Sequence, residues 1–236
     1  AWGRYWAEWI KRRATEADTS RMVTEMWDDR DIKADRHRRT FDHPDRYDFV
    51  DISQNNHNRG QVHWDNLQFV RRYLAGAPRP MNSTKIYGAD GARFGHSDQD
   101  AVERFWRLLL GGAASARFHR PDSGMGLNDT AVACLQAARK LESLVPLWSV
   151  EPANQLLSDR PANGAYLAAR PGHAYVLYLP AGGSATVDLG GAGGEWQLRW
   201  VDIDSGGWGA TSAVSGGGPA KIAAPGSGNH VVAITR

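Results

Sequence analysis

The sequence predicts an α/β array followed by an all-β domain: half of a (β/α)8 barrel over residues 1–148, then a small β-sandwich over 149–236. Three observations predict it. Composition breaks near residue 150: positions 151–236 hold 16 of the 26 glycines but only five of the 28 basic and six of the 26 acidic residues, as turn-rich β structure would. Upstream of the break, short apolar runs alternate with stretches whose apolar residues recur every three or four positions, the pattern of βα units. Each strand of that part also runs straight into polar or aromatic residues, and the C-terminal strand ends are where barrels carry their functional groups. A Gly-rich phosphate turn after the first strand, the mark of a nucleotide-binding sheet, is absent.

The elements follow in order. Trp2–Thr15 is a helix, with Trp2, Tyr5, Trp6, Trp9 and Ile10 as its apolar stripe. Arg21–Trp27 (RMVTEMW) is a first strand, and a highly charged loop continues to Arg46. Tyr47–Ser53 (YDFVDIS) is a second strand, before a helix over Trp64–Leu74. Pro78 and Pro80 introduce a third strand, Arg79–Tyr87. A helix over Asp98–Leu110 has an acidic start and a stripe of Val102, Phe105, Trp106 and Leu109. Ala114–His119 is the fourth strand. Asp129 or Thr130 caps a last helix to about Leu144, whose expected buried side is Ala131, Leu135, Ala138 and Leu141. The β region has strands at Ala165–Arg170, His173–Leu179, Ala185–Leu189, Trp196–Asp202, Ala220–Ala223 and Val231–Thr235, separated by Gly-containing turns.

Composition excludes several classes. A formal charge of +2 with interspersed signs does not make a nucleic-acid surface, and no run reaches the roughly 18 apolar residues of a membrane span. One cysteine, Cys134 within an apolar helical run, makes no intrachain disulfide and reads as a buried packing thiol. The histidines lack metal-ligand spacing, so neither metal nor cofactor is expected. A complete barrel takes about 250 residues. Four strands in about 150 leave open edges, which a second chain or self-association would cover.

Candidate site residues lie at the strand ends. Glu25 and Asp28 flank Trp27, a carboxylate pair beside an aromatic platform. Gln54, Asn55, Asn56 and His57 crowd neutral donors and acceptors into four positions, as sugar hydroxyls require. Tyr87 and His119 end the third and fourth strands, and Lys85 lies near the end of the third. Of the ten tryptophans, Trp6, Trp9, Trp106 and Trp148 fit helix packing, whereas Trp27 and Trp208 fall in loops and suit stacking on a ligand.

Two stretches carry a resemblance. YDFVDISQNNHNRGQVHWDNL at 47–67 with RPMNSTKIYG at 79–88 resembles the second half of a DUF4038-type (apiosidase-like) glycoside hydrolase barrel. AYLAARPGHAYVLYLPAGGSATVDL at 165–189, WQLRWVDIDSGG at 196–207 and NHVVAITR at 229–236 are similar to the C-terminal sandwich of such proteins, a module often labelled collagen-binding. The resemblance implies that the four strands are barrel strands five to eight. It also implies a secreted or periplasmic protein acting on carbohydrate without a cofactor. The family's chemistry would be retaining hydrolysis, with an acid/base and a nucleophilic carboxylate about 5 Å apart. These would come from strands four and seven. On that reading strand four is not in this sequence, and Lys85 stands about where the nucleophilic Glu would be. No carboxylate occurs between Arg79 and Ala89. An ammonium is no nucleophile for this step and opposes an oxocarbenium-like transition state, so the sequence reads as an incomplete or inactive hydrolase. The alternatives are a non-catalytic carbohydrate- or protein-binding module, or a structural subunit completed by a second chain.

Overall fold

The computed structural model describes residues 2–27, 29–53, 56–121, 124–191 and 193–236. The chain divides into two compact units, Ala1–Ile86 with Gly112–Arg117, and Tyr87–Gly111 with Phe118–Arg236.

The first unit opens with helix α1, Trp2–Glu16. Its buried residues are Ala7 and Ala14; Ala7, with Ile10 alongside, packs on Val23 and Tyr47. The aromatic stripe expected to be buried is on the outside: Trp2 is 74% exposed and Tyr5 56%, while Trp6 and Trp9 are each 37% exposed. Small residues at the contact let the neighbouring segments approach closely. The bulky rings are left to pack on one another edge to face, at centroid distances of 5.3–5.5 Å.

The segment expected as a strand at Arg21–Trp27 is not one. It lies beside residues 48–49, but the Val23 N–H is taken by the Asp48 carboxylate (2.8 Å), and the Thr24 hydroxyl donates to the Phe49 carbonyl (2.6 Å). One backbone bond joins the segments, the Asp48 N–H donating to the Val23 carbonyl at 2.9 Å, and side chains replace the rest of a ladder. Helix α2, Asp35–Phe41, forms within the stretch read as a charged loop and buries His37, Thr40 and Phe41. Arg79 fastens this region, donating to the carbonyls of Thr40, Phe41 and Tyr47.

Strand β1 is only Val50–Asp51; α3 follows at Gly60–Tyr73, then β2 at Met81–Ile86. Together with β3, Ser115–Phe118, they make a three-stranded sheet of order β1-β2-β3. The β1–β2 pairing is parallel, with Val50 opposite Met81 and Asp51 opposite Asn82. Strand alternation therefore gives the sheet two unlike faces. Val50, Ile52, Met81 and Ser83 are buried on one. Asp51, Asn82, Thr84, Ser115 and Arg117 share the other, where Ser115 donates to Asn82 and a polar groove of about 360 Å³ lies open.

The second unit contains α4, Asp98–Leu110, and α5, Asp129–Glu142. A reciprocal capping box between Ser97 and Asp100 starts α4, and the Asn128 side chain caps α5. The buried side of α5 is Ala131, Cys134, Ala137 and Leu141; Leu135, expected inside, is 38% exposed. Small residues let α5 sit on the turn at Gly206, where a Cβ would fall 3.0 Å from the Ala133 carbonyl oxygen.

The β region comprises β4 (Glu151–Pro152), β5 (Leu157–Ser158), β6 (Tyr166–Arg170), β7 (Ala174–Leu179) and β8 (Ser184–Asp188). It continues with β9 (Glu195–Asp202), β10 (Gly207–Ser215), β11 (Pro219–Ala223) and β12 (His230–Thr235). These form a six-stranded sheet, β10-β9-β12-β7-β6-β4, and a three-stranded sheet, β11-β8-β5. Leu167, Tyr175, Leu177, Trp196, Trp200 and Val232 share one core with Val187 and Ile222 of the smaller sheet. The opposite face of the large sheet meets the helices, with Tyr178 stacked on Trp106 at 5.9 Å and Arg107 over Tyr166. Trp106 is thus in the core as expected, whereas Trp148 is 79% exposed. No helix among the described residues is long and apolar enough to cross a membrane.

Candidate functional site

The sequence-predicted site residues fall into two groups, one in each unit. In the first unit, Glu25 Oε2 accepts a hydrogen bond from the Tyr47 hydroxyl at 2.8 Å, and its carboxylate covers Gly3 of α1 so closely that a Cβ there would lie 2.2 Å away. Burial, reinforced by Glu25, pushes the Tyr47 hydroxyl up to about 12. Trp27 donates its indole N–H to the Thr40 hydroxyl (2.9 Å) and lies under the Arg39 guanidinium, 5.6 Å from the ring centre. Asn56 is fully buried with φ +58° and donates to the Lys85 carbonyl, so it holds the turn onto β2. His57 is exposed and Lys85 half-buried. Asp28, Gln54 and Asn55 lie outside the described residues.

In the second unit, Tyr87 and His119 come together. Tyr87 directly follows β2 and His119 directly follows β3, and their rings meet edge to face at 5.0 Å. Phe94 joins them, 4.5 Å from Tyr87 and 5.5 Å from His119, and His96 stacks on Tyr87 at 5.8 Å. Behind this cluster is Asp90, fully buried, with Oδ2 3.2 Å from His119 Nδ1 and Oδ1 accepting from the Gly88 N–H at 3.3 Å. The carboxylate lies within ion-pair distance of the imidazole, without hydrogen-bond geometry between Oδ2 and Nδ1.

The 88–97 loop builds this cluster by a costly route. Ala92 and Phe94 both have φ near +60°, where a side chain costs about 1–3 kcal/mol. Phe94 is nevertheless 58% exposed, so its position is not set by burial. Gly88, at φ +118°, permits the close approach to α4: a Cβ would meet the Ser97 carbonyl oxygen at 2.1 Å. Asp90, Phe94 and His96 are absent from the sequence-level set. The signal that marks them is Gly88, Gly91 and Gly95 within eight residues of a strand end, a spacing that demands a tight, shaped loop. Chemically, the cluster offers aromatic faces for the C–H surface of a sugar ring and an imidazole beside a carboxylate for its hydroxyls.

No family model matches the sequence, and no curated protein matches it. Solved structures do resemble the fold. A protein described as a glycoside hydrolase has a TM-score of 0.56 and 17% identity over 75% of this chain and 47% of its own. A glycoside hydrolase family 5 protein from Bacteroides vulgatus has a TM-score of 0.57 and 14% identity, over 80% of this chain and 51% of its own. A glucosidase from Croceicoccus marinus has a TM-score of 0.52 and 12% identity, over 99% of this chain and 63% of its own. The chain therefore spans about half to two-thirds of these neighbours' length. Its fold is glycoside hydrolase-like, and its helices and sheets, with no closed barrel among the described residues, are consistent with a partial (β/α) barrel plus a β-sheet domain.

Proposed function

We propose that this chain is the C-terminal, carbohydrate-binding portion of a glycoside hydrolase of the DUF4038 (apiosidase-like) type, with barrel strands five to eight over 1–148 and the accessory sandwich over 149–236. The observation that carries the reading is the Tyr87–Phe94–His96–His119 cluster with Asp90 behind it, at strand ends in a glycoside hydrolase-like fold. In this reading Tyr87, Phe94 and His119 hold a sugar; Trp27, Gln54, Asn55 and His57 of the first unit are separate candidates for sugar contact, whereas the buried Asn56 holds the turn onto β2. Glu25 and Asp28 are the carboxylates that remain for acid/base work, and Lys85 occupies the nucleophile's position. A retaining mechanism needs two carboxylates about 5 Å apart. One cation in that place leaves the chain by itself a binder and not a hydrolase.

The test is titration of neutral plant-type oligosaccharides by calorimetry, alongside a reducing-sugar assay. Binding without turnover is expected, with Tyr87→Ala and Phe94→Ala each weakening affinity by about tenfold, the worth of one lost stacking contact. Turnover by this chain alone would overturn the binder reading, and unchanged affinity in both variants would overturn the site.

A second reading is favoured by one observation, the exposed Trp2, Tyr5, Trp6 and Trp9 stripe on α1. Contiguous aromatic surface of this kind marks an interaction face, on which a second polypeptide or another copy of this chain would sit. Native mass spectrometry of the chain and its Trp6→Ala/Trp9→Ala variant tests whether any self-association depends on the stripe.

A further inference from the structure

A second site lies in the second unit, on the groove between α5 and β10. Residues 132, 135, 136, 139 and 140 recur at three- and four-residue spacing, so they form one face of α5. With Trp208 of β10 they enclose a groove of about 450 Å³. Its floor is apolar, Val132 and Leu135 being 37% and 38% exposed, and Trp208, 44% exposed, forms a wall.

Trp208 is held as a platform. The Arg199 guanidinium lies 4.7 Å from its ring centre, and that guanidinium is itself fixed by the Thr211 hydroxyl at 2.6 Å and the Gly209 carbonyl at 3.3 Å. One face of the indole is thus covered by a cation that cannot swing freely. Around it are polar groups without protein partners: among the described residues, no acceptor holds the Lys140 ammonium and nothing bonds the Gln136 amide. Arg139 is paired with Glu142, the acid on this stretch of helix. The balance around the groove is therefore cationic, with Lys140 and Arg199 uncompensated by a carboxylate.

We propose that this groove binds an oligosaccharide bearing a carboxylate, a uronate-containing glycan. The sugar's C–H face lies against Trp208 and the apolar ledge, its carboxylate reaches Lys140, and a hydroxyl pairs with Gln136. The stacking provides contact area and the ammonium selects acidic over neutral sugars. This site shares no residue with the Tyr87 cluster and stands without it.

Calorimetric titration of the whole chain with tri-galacturonic acid and with cellotriose, at low and at 0.5 M salt (roughly a 4 Å screening length), tests the proposal. Tri-galacturonate is expected to bind at least about tenfold more tightly than cellotriose, with salt narrowing the gap. Trp208→Ala and Lys140→Gln are expected to weaken it by about tenfold each, and Tyr87→Ala to leave it unchanged. Trp208 and Lys140 line the open groove, and circular dichroism melts are the check that both variants fold. Equal affinity of the two sugars for the Tyr87→Ala protein, which lacks the neutral-sugar cluster, no binding of tri-galacturonate, or no effect of either groove variant overturns it. Loss of binding in Tyr87→Ala also overturns it, by moving the acidic sugar to the strand-end cluster, and leaves the reading of that cluster standing.

Discussion

Two sheets of this protein, the six-stranded one and β1-β2-β3, handle their faces in opposite ways. The six-stranded sheet is covered twice, by the β11-β8-β5 sheet on one side and by α4 and α5 on the other, so Tyr175, Leu177, Tyr178, Trp196 and Val231 are all fully buried. The β1-β2-β3 sheet, whose β1–β2 pair is parallel, buries one face and has a polar face that lines an open groove. Parallel sheets are ordinarily covered on both faces. The difference teaches that stability and unfinished surface are separated along the chain: the antiparallel region completes its own core, whereas the βα region leaves faces to be occupied.

The sharpest way to break this comparison is with tryptophan substitutions. Trp196→Ala, in the sandwich core, should cost about 3–5 kcal/mol in urea denaturation, and Trp6→Ala, on the open stripe of α1, no more than about 0.5 kcal/mol. Equal losses would mean that the stripe is packed in solution. Next in size is Gly88→Ala, where both the positive φ and the Ser97 carbonyl oppose a side chain. A loss above about 2 kcal/mol is expected, and near-neutral behaviour would show that the 88–97 loop is free to relax.

Cys134 sharpens the contrast kinetically. Burial pushes its thiol up to about 12, so at pH 8 almost no thiolate exists in the folded state. Alkylation by iodoacetamide should follow the opening of the second unit, and rapid labelling without denaturant would contradict a closed core.

The smallest effect lies in the first unit. Burial acts to raise the Asp48 carboxyl, but the Lys11 ammonium at 2.9 Å and the Val23 N–H outweigh it and hold it below its usual 3.8. A folded-state value below the unfolded one gives stability that is present above about pH 4 and lost as pH falls through the lowered value. Acidification should loosen α1 by no more than about 1 kcal/mol, and Asp48→Asn should remove that pH dependence. Hydrogen exchange at α1 between pH 5 and 2.5 measures it.

Much of this organisation is legible in the residues. The helix over Asp98–Leu110 and six of the β strands follow from patterning, because alternation and periodicity report burial directly. Strand β10 is not legible: GWGATSAVS has no apolar alternation, and an edge strand held by backbone pairing to β9 needs none. Helix α2 is hidden for a related reason, since a charged heptapeptide is helical here through the burial of His37, Thr40 and Phe41. At the site, Tyr87 and His119 are visible as strand-end residues. Asp90 and Phe94 are not, because a loop in left-handed conformations brings them there.

The sequence by itself determined where the two classes of structure lie, where most helices and strands begin and end, and which strand ends carry aromatic and polar groups. These are local properties, set by periodicity, caps and turn residues. Only the tertiary structure decided which of two competing stripes each helix buries. On α1 the Ala7–Ala14 ridge is inside and the four aromatic rings outside; on α5 the small residues are inside and Leu135 lines a groove. Hydrophobicity favours the large side chains in both cases. The close approach of the neighbouring backbone favours the small ones, and that approach exists only once the chain has folded.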